Sequence, residues 1–117
     1  MSGLSNSRIA WFNGEFMPEG QVMIPFRDRS WKYGDGAFDM TRTFEGRPFR
    51  LKEHIDRFFN SLRYLRIDPG VSPGKMVELS EEVVARNEHL RLRHERAVEP
   101  GDAAIGECCH GGLLDVA

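Results

Sequence analysis

The aromatic residues of this chain are confined to its first part. All eight Phe, both Trp and both Tyr lie between Trp11 and Tyr64, and none follows in the rest of the 117-residue sequence. Aromatic side chains bury large apolar areas and dominate the packing of small domains. We therefore predict a core built by the first part of the chain, and a C-terminal segment with little capacity to pack.

Length and charge limit the class of protein. A chain of 117 residues and 13.4 kDa suits one compact domain, which can bury enough surface without disulfides or metal ions. Its formal net charge of -2 offers no general attraction to nucleic acid or anionic lipid. Because no apolar stretch has the length of a membrane span either, we predict neither a nucleic-acid partner nor a membrane partner.

The cysteines indicate a reducing compartment. Cys108 and Cys109 are adjacent, and neighbouring residues cannot readily close an ordinary structural disulfide. Residues 1–10 also lack the apolar run of a signal peptide. The sequence therefore predicts a cytoplasmic protein.

Short strands are predicted in the N-terminal part of the chain. Asn13-Gly14 separates two short apolar runs, and this dipeptide supplies the positive φ angles of a tight hairpin turn. Residues 22–26 are predicted to form another short strand. A second hairpin is predicted from residues 37–44 to residues 48–51, with its turn at Glu45-Gly46-Arg47.

Two amphipathic helices are predicted to follow the strands. Apolar residues recur at helical spacing within residues 52–65, and again up to Asn87 after a helix start at Ser72-Pro73. Strands followed by helices predict an α+β fold, an antiparallel sheet packed against two helices. We assign this domain to residues 1–90, and we predict that residues 91–117, first polar and then rich in Gly and Ala, form an irregular or disordered tail.

Few residues indicate a chemistry by their pattern alone. Gly34-Asp35-Gly36 fails the dinucleotide-binding pattern because Asp39 stands where the third glycine is required, which favours a simple turn. Arg57 is either a solvated ion pair with Glu53, one helical turn away, or a guanidinium that grips a phosphate. The spacing alone favours the ion pair. His54 has no evident acidic or metal-binding partner, so a surface or packing role is favoured.

Two further features are interpreted as structural. Cys108-Cys109-His110 contains metal-binding residue types, but three consecutive residues rarely direct three ligands to one tetrahedral ion, so no metal site is predicted. Tyr33 and Phe38 bracket the glycine loop. Aromatic residues near a strand usually belong to a core, so the pattern alone makes each only a modest site candidate.

Several segments, taken together and in order, resemble one known family. They are Trp11-Phe12-Asn13-Gly14-Glu15, Asp28-Arg29, Tyr33-Gly34-Asp35-Gly36-Ala37-Phe38-Asp39, Phe49-Arg50-Leu51 and Glu53-His54-Ile55-Asp56-Arg57. Over residues 9–90 the chain resembles the small N-terminal domain of the class IV, fold-type IV pyridoxal-phosphate aminotransferases. That family includes branched-chain aminotransferases, D-amino-acid aminotransferases and aminodeoxychorismate lyases.

The resemblance implies roles for four residues. Arg57, in the His-x-x-Arg segment, matches the arginine that holds the phosphate of the cofactor pyridoxal 5′-phosphate, which reverses the ion-pair interpretation. Tyr33 and Phe38 match side chains that line the substrate pocket, and Arg42 lies where some members turn a residue toward that pocket. Branched-chain enzymes resemble this sequence at both aromatic positions. The resemblance thus implies a homodimeric branched-chain transaminase, acting on an amino acid and a 2-oxo acid.

The chemistry of this family requires a lysine that forms a Schiff base with the cofactor and moves a proton at the substrate α-carbon. In the family, this lysine belongs to a second, larger domain. None of the three lysines present, Lys32, Lys52 and Lys75, fits the role. We therefore expect no catalytic residue in this chain and no turnover by it alone. We also expect the tail from Arg91 to be a truncation or frameshift product.

Two alternatives stay open from the sequence. An aminodeoxychorismate lyase or an amine transaminase would share the same first domain, and the residues that separate these enzymes lie largely outside it. A non-catalytic module would instead dimerise or bind a partner through an exposed apolar face.

Overall fold

The structure is a computed structural model that describes residues 7–90 and, as backbone, residues 112–116. The elements in chain order are β1 (Ile9–Phe12), β2 (Glu15–Pro18), α1 (Arg29–Tyr33), β3 (Ala37–Thr41), β4 (Thr43–Phe44), β5 (Arg47–Pro48), α2 (Leu51–Leu65), α3 (Pro73–Arg86) and β6 (Gly112–Val116). In the described residues, the strands form antiparallel pairs, β1 with β2, β3 with β6 and β4 with β5. The fold is α+β, as predicted.

Both predicted turns are present. In the first hairpin Phe12 lies opposite Glu15, and the two residues between them, Asn13 and Gly14, have φ angles of 49° and 94°. Those positive angles match the twist of the flanking strands. In the second hairpin Glu45 and Gly46 have φ angles of 50° and 77°, but its strands β4 and β5 are only two residues long each.

The prediction of a strand at residues 22–26 is wrong. These residues adopt no regular structure up to a turn at Phe26. Pro25 lacks the N–H that a ladder needs, and a strand is stabilised by a paired neighbour, which this segment does not have among the described strands. The next element, α1, was not predicted. It begins at an N-cap, where the Asp28 carboxylate accepts from the Ser30 N–H at 2.8 Å, and it ends at Gly34, whose φ is 73°.

Strand β3 pairs with β6, so that Ala37 lies opposite Val116 and Thr41 opposite Gly112. The sequence pattern predicted no regular structure beyond Leu90, and it predicted residues 37–44 as one arm of a hairpin. A short strand is stabilised mainly by its neighbour, so β6 left no clear signal in the sequence. Residues 91–111, which include Cys108-Cys109-His110, lie outside the described residues.

The core lies between the two long helices. Leu51, Ile55, Phe58 and Leu62 project from one face of α2 and pack with Met76 of α3. Both helices closely match the predictions. Helix α3 begins with Pro73 at its first position, after the Ser72 side chain, which accepts from the Lys75 N–H at 3.1 Å.

Most of the aromatic side chains lie outside the core. Among residues 7–90, Phe58 is the one aromatic side chain that is fully buried. Seven others are exposed: Phe26, Trp31, Tyr33, Phe38, Phe44, Phe49 and Tyr64. The apolar stripes of α2 and α3 face each other, whereas the exposed aromatic residues lie on short strands, in loops, on the short helix α1 or, for Tyr64, outside the buried stripe of α2.

Asn87, the residue that follows α3, connects that helix to β1. Its Oδ1 accepts from the Ile9 N–H at 2.9 Å, and its Nδ2 donates to the Ile9 carbonyl at 2.8 Å. The side-chain amide thus pairs with Ile9 much as a neighbouring strand would. None of the helices within residues 7–90 combines the length and the apolar character that crossing a bilayer requires.

Candidate functional site

A buried carboxylate joins β3 to α2. Asp39 is 6% exposed and lies on the buried face of β3, which packs against α2. Arg57 of α2 donates to both of its oxygens, from Nε to Oδ2 at 2.8 Å and from Nη2 to Oδ1 at 2.8 Å. This is the two-point geometry in which the planar guanidinium fork fits a carboxylate.

His54, three residues before Arg57, provides the third member of this cluster. Its Nδ1 lies 2.7 Å from Asp39 Oδ1. An ionised carboxylate can only accept, so Nδ1 carries the proton and donates it to Asp39. His54 Nδ1 and Arg57 Nη2, which lie 3.1 Å apart, are thus two donors that share one oxygen. We call Asp39, His54 and Arg57 the Asp39 cluster.

The cluster keeps Asp39 ionised. Hydrogen bonds from Arg57, and more weakly from His54, hold the pKa of the Asp39 carboxyl below its usual value, although burial acts to raise it. The same bond to Asp39 raises the pKa of the Arg57 guanidinium. Burial of the carboxylate is therefore compensated by two partners from one helix.

One side of the Arg57 guanidinium is held while the rest faces solvent. Its side chain is 67% exposed, and its N–H groups that do not bind Asp39 remain available to a ligand. An open groove of about 430 Å³ begins at this residue and runs along one face of α2, where it is lined by Arg57, Asn60, Ser61, Tyr64 and Leu65. A fixed cation beside an open groove can bind an anion.

The other predicted site residues do not join the cluster. Tyr33 ends α1, and the cations of Arg29 and Lys32 lie 5.0 and 5.3 Å from its ring centroid. Phe38 is 71% exposed and projects from the opposite face of β3 to Asp39. Arg42 follows β3, where its carbonyl accepts from the Phe49 N–H at 2.8 Å.

Within residues 7–90, no hydrogen bond, ion pair or ring contact joins Tyr33, Phe38 or Arg42 to Arg57. Tyr33 and Phe38 are both exposed, so neither belongs to the core. A second open groove, of about 620 Å³, is lined in part by Arg27, Arg29 and Arg66. It contains none of the four predicted site residues.

Sequence reasoning missed the role of Asp39. It paired Arg57 with Glu53 and found no acidic partner for His54, whereas both side chains bind Asp39. Alternation along β3 places Asp39 and Thr41 on one face, and the spacing of three places His54 and Arg57 on one side of α2. The sequence could have identified Asp39 as the partner of His54 and Arg57 only if the packing of β3 against α2 had already been known.

Metal-binding side chains do not gather in the described part of the chain. Nowhere within it do three or more His, Cys, Asp or Glu side chains lie close enough to hold one ion. Cys108-Cys109-His110 lies outside that part.

The region that contains the Asp39 cluster matches a known family. A family model described as amino-transferase class IV matches residues 36–112, more than half of the chain. The chain belongs to the class IV aminotransferase family. The match begins at the residue before β3 and includes α2 and α3.

Individual class IV aminotransferases align with this chain over its larger part. The D-alanine aminotransferase of Staphylococcus aureus (strain N315) is 31% identical over 78 residues, which cover 67% of this chain and 28% of that protein. The D-alanine aminotransferase of Staphylococcus haemolyticus is 27% identical over 94 residues, covering 77% and 33% respectively. A Methanocaldococcus jannaschii protein named "Putative branched-chain-amino-acid aminotransferase" is 34% identical over 99 residues, covering 81% and 34%.

This class IV aminotransferase chain spans 28 to 34% of the length of these curated relatives. The alignments thus correspond to an N-terminal portion of such an enzyme. The family implies pyridoxal phosphate as cofactor, and amino acids and keto acids as substrates.

Proposed function

We propose that this chain is the N-terminal part of a pyridoxal-phosphate-dependent aminotransferase, in which Arg57 holds the phosphate of the cofactor. The complete enzyme transfers an amino group between an amino acid and a 2-oxo acid. Tyr33, Phe38 and Arg42 are proposed to line one wall of its substrate pocket. The cytoplasmic location and the homodimer stay predictions from the sequence.

The observation that carries the proposal is the state of Arg57. A guanidinium that binds a phosphate must be charged, accessible and oriented. Arg57 meets all three conditions, because Asp39 raises its pKa, its side chain is 67% exposed and two of its nitrogens are fixed on one carboxylate. The donor set therefore fits a phosphate ester at the groove along α2.

The state of the three lysines supports the proposal that another domain supplies the Schiff-base lysine. Pyridoxal phosphate would supply an electron sink for the substrate α-carbon, and its chemistry requires a lysine whose amine is neutral. Lys52 is unsuited, because its bond to Asp56 at 2.9 Å raises the pKa of its amine. Lys75 pairs with Glu78 at 3.1 Å, and Lys32 lies against the ring of Tyr33.

The 117-residue chain is therefore proposed to bind the phosphate of the cofactor without catalysing transamination. We expect no transamination from the purified chain with any pair of amino acid and 2-oxo acid. Measurable turnover would contradict this expectation and would show that one of its lysines reacts.

A branched-chain amino acid is the proposed amino donor. The Methanocaldococcus jannaschii relative, whose name refers to branched-chain amino acids, is 34% identical over 81% of the chain. The Staphylococcus aureus relative, named for D-alanine, is 31% identical over 67%. The proposal rests on Tyr33 and Phe38, the two pocket positions at which this sequence resembles the branched-chain enzymes.

A comparison of two ligands tests the role of Arg57. Pyridoxine 5′-phosphate and pyridoxine differ by the phosphate, and neither has the aldehyde that would condense with surface lysines. The dissociation constant of pyridoxine divided by that of pyridoxine 5′-phosphate, both measured with the purified chain, isolates the contribution of the phosphate to binding. We call this ratio the phosphate preference. We expect Arg57→Ala to lower it about tenfold, the typical worth of a charge-assisted hydrogen bond.

Arg86→Ala is the matched control, because Arg86 is also a helical arginine in an ion pair, with Glu82 at 2.5 Å. Its phosphate preference should equal that of the wild type. If Arg57→Ala leaves the phosphate preference unchanged, the proposed role of Arg57 is wrong.

A further inference from the structure

We propose that Asp39 is a positioning residue, which fixes the Arg57 guanidinium in the orientation that receives the phosphate. This inference rests on the proposed function, because it needs Arg57 to be the phosphate ligand. It adds a residue that contacts no ligand itself. Asp39 is buried beneath the guanidinium, so its effect on a phosphate must pass through Arg57.

The first argument concerns the freedom of the arginine side chain. A long, exposed arginine samples many rotamers, and binding a ligand costs the entropy of selecting one of them. The two bonds from Nε and Nη2 to the Asp39 carboxylate select one orientation before any ligand arrives. A single bond would leave the guanidinium free to rotate, whereas a two-point bond fixes its plane.

The second argument concerns how Asp39 itself is held. The residue lies within β3, so its backbone is fixed by pairing with β6. Its Oδ1 also accepts from His54 Nδ1 at 2.7 Å. The carboxylate is thus oriented by its own strand and by a second α2 side chain, and it can act as a rigid support for Arg57.

The third argument separates position from charge. The negative charge of Asp39 is near the phosphate site and, considered alone, repels a phosphate. Removing that charge would strengthen phosphate binding if Asp39 acted only electrostatically. Removing the support would weaken phosphate binding if Asp39 acts by positioning. The two effects have opposite signs, so the sign of the change identifies which one dominates.

The test is the phosphate preference of Asp39→Asn. The amide retains the size of the side chain but cannot accept at both positions from Arg57. We expect the preference to fall about fivefold, because Arg57 must then be ordered when the ligand binds. A role in folding alone would change stability, but it would not change a ratio of affinities measured on the folded protein.

Asp56→Asn is the matched control. It makes the same chemical change in the residue before Arg57, whose carboxylate pairs with Lys52 at 2.9 Å and, within residues 7–90, forms no hydrogen bond or ion pair with Arg57. We expect its phosphate preference to equal that of the wild type. An unchanged or increased preference in Asp39→Asn overturns the positioning role.

The two proposals fail in different ways. If Arg57→Ala lowers the phosphate preference and Asp39→Asn does not, only the positioning role is wrong. If Arg57→Ala has no effect, the proposed function is wrong and the inference falls with it. If Asp39→Asn does not fold, the positioning role is tested instead by hydrogen exchange in the wild-type protein. Its Arg57 Nε–H must then exchange with water more slowly than the Nε–H of exposed Arg47, and equal rates overturn the positioning role.

Discussion

The pair of long helices and the segment of residues 22–49 use their apolar side chains in opposite ways. In α2, Ile55 and Phe58 are at most 1% exposed, whereas Met23 and Phe26 in the other segment are exposed by 77% and 78%. Both regions contain large apolar residues. The difference is geometric, because α2 and α3 present apolar stripes that can face each other, while residues 22–49 form short strands, loops and the five-residue helix α1. In this chain a large apolar side chain is buried where its element packs face to face with another element, and its size alone does not determine its burial.

The two regions meet at β3, whose polarity is the reverse of an ordinary half-buried strand. Asp39 and Thr41 are buried, and Phe38 and Met40 are exposed. Asp39 can face inward because α2 supplies Arg57 and His54 as its partners. The face of β3 that carries Phe38 and Met40 is exposed.

The largest expected effect contrasts one buried and one exposed phenylalanine. Phe58→Ala should lower the free energy of unfolding by about 3–5 kcal/mol, because it leaves a cavity between the helices. Phe38→Ala should change the same quantity by about 0.5 kcal/mol or less, since its ring is exposed. Denaturant unfolding followed by circular dichroism measures both. Equal losses would break the comparison between the two regions.

A smaller effect concerns the Asp39 cluster, where the regions join. Arg57 and His54 hold the pKa of Asp39 below 3.8, its value in an unfolded chain. Its contribution to stability is therefore complete at pH values well above 3.8, and it is lost as the pH falls through the lower, folded-state pKa.

Unfolding free energies measured from about pH 6 to about pH 2 should thus fall more steeply for the wild type than for Asp39→Asn. The amide has no proton to bind in this range. Asp56→Asn provides the control, because Asp56 is exposed. Parallel curves for the wild type and Asp39→Asn would show that the cluster does not link the two regions as described.

The smallest effect is a gain in stability at Thr41. Among residues 7–90 its buried Oγ1 finds no hydrogen-bond partner, and an unsatisfied buried hydroxyl is costly. Thr41→Val retains the shape of the side chain without the hydroxyl, so it should raise the free energy of unfolding by about 1 kcal/mol. Thr43→Val, in neighbouring β4, is the control and should have less effect. A loss of stability in Thr41→Val would mean that the hydroxyl has a partner.

The features predicted correctly from the sequence depend on neighbouring residues. Asn13-Gly14 specifies its own turn, and Ser72-Pro73 specifies the start of α3. The periodic apolar residues of α2 predicted its limits to within a residue and most of its buried face, although Leu65, at the end of the predicted face, is exposed. In each case the information lies within one element.

The features that were missed depend on distant residues. Whether residues 22–26 form a strand depends on a neighbour to pair with, and β6 is separated from β3 by most of the chain. The Asp39 cluster depends on contacts across 15 and 18 residues, between a strand and a helix. The family resemblance predicted Arg57 as the site residue, but neither it nor the pattern indicated what holds Arg57.

The most direct test of the central claim locates the phosphate on the protein. The side-chain Nε–H signals of the arginines can be followed by nuclear magnetic resonance while the chain is titrated with pyridoxine 5′-phosphate, with the Arg57 signal assigned from its absence in Arg57→Lys. We predict that the Arg57 signal shifts to saturation with the phosphate ester and stays unchanged with pyridoxine. A stationary Arg57 signal, with shifts instead at Arg27, Arg29 or Arg66 in the second groove, would contradict the claim.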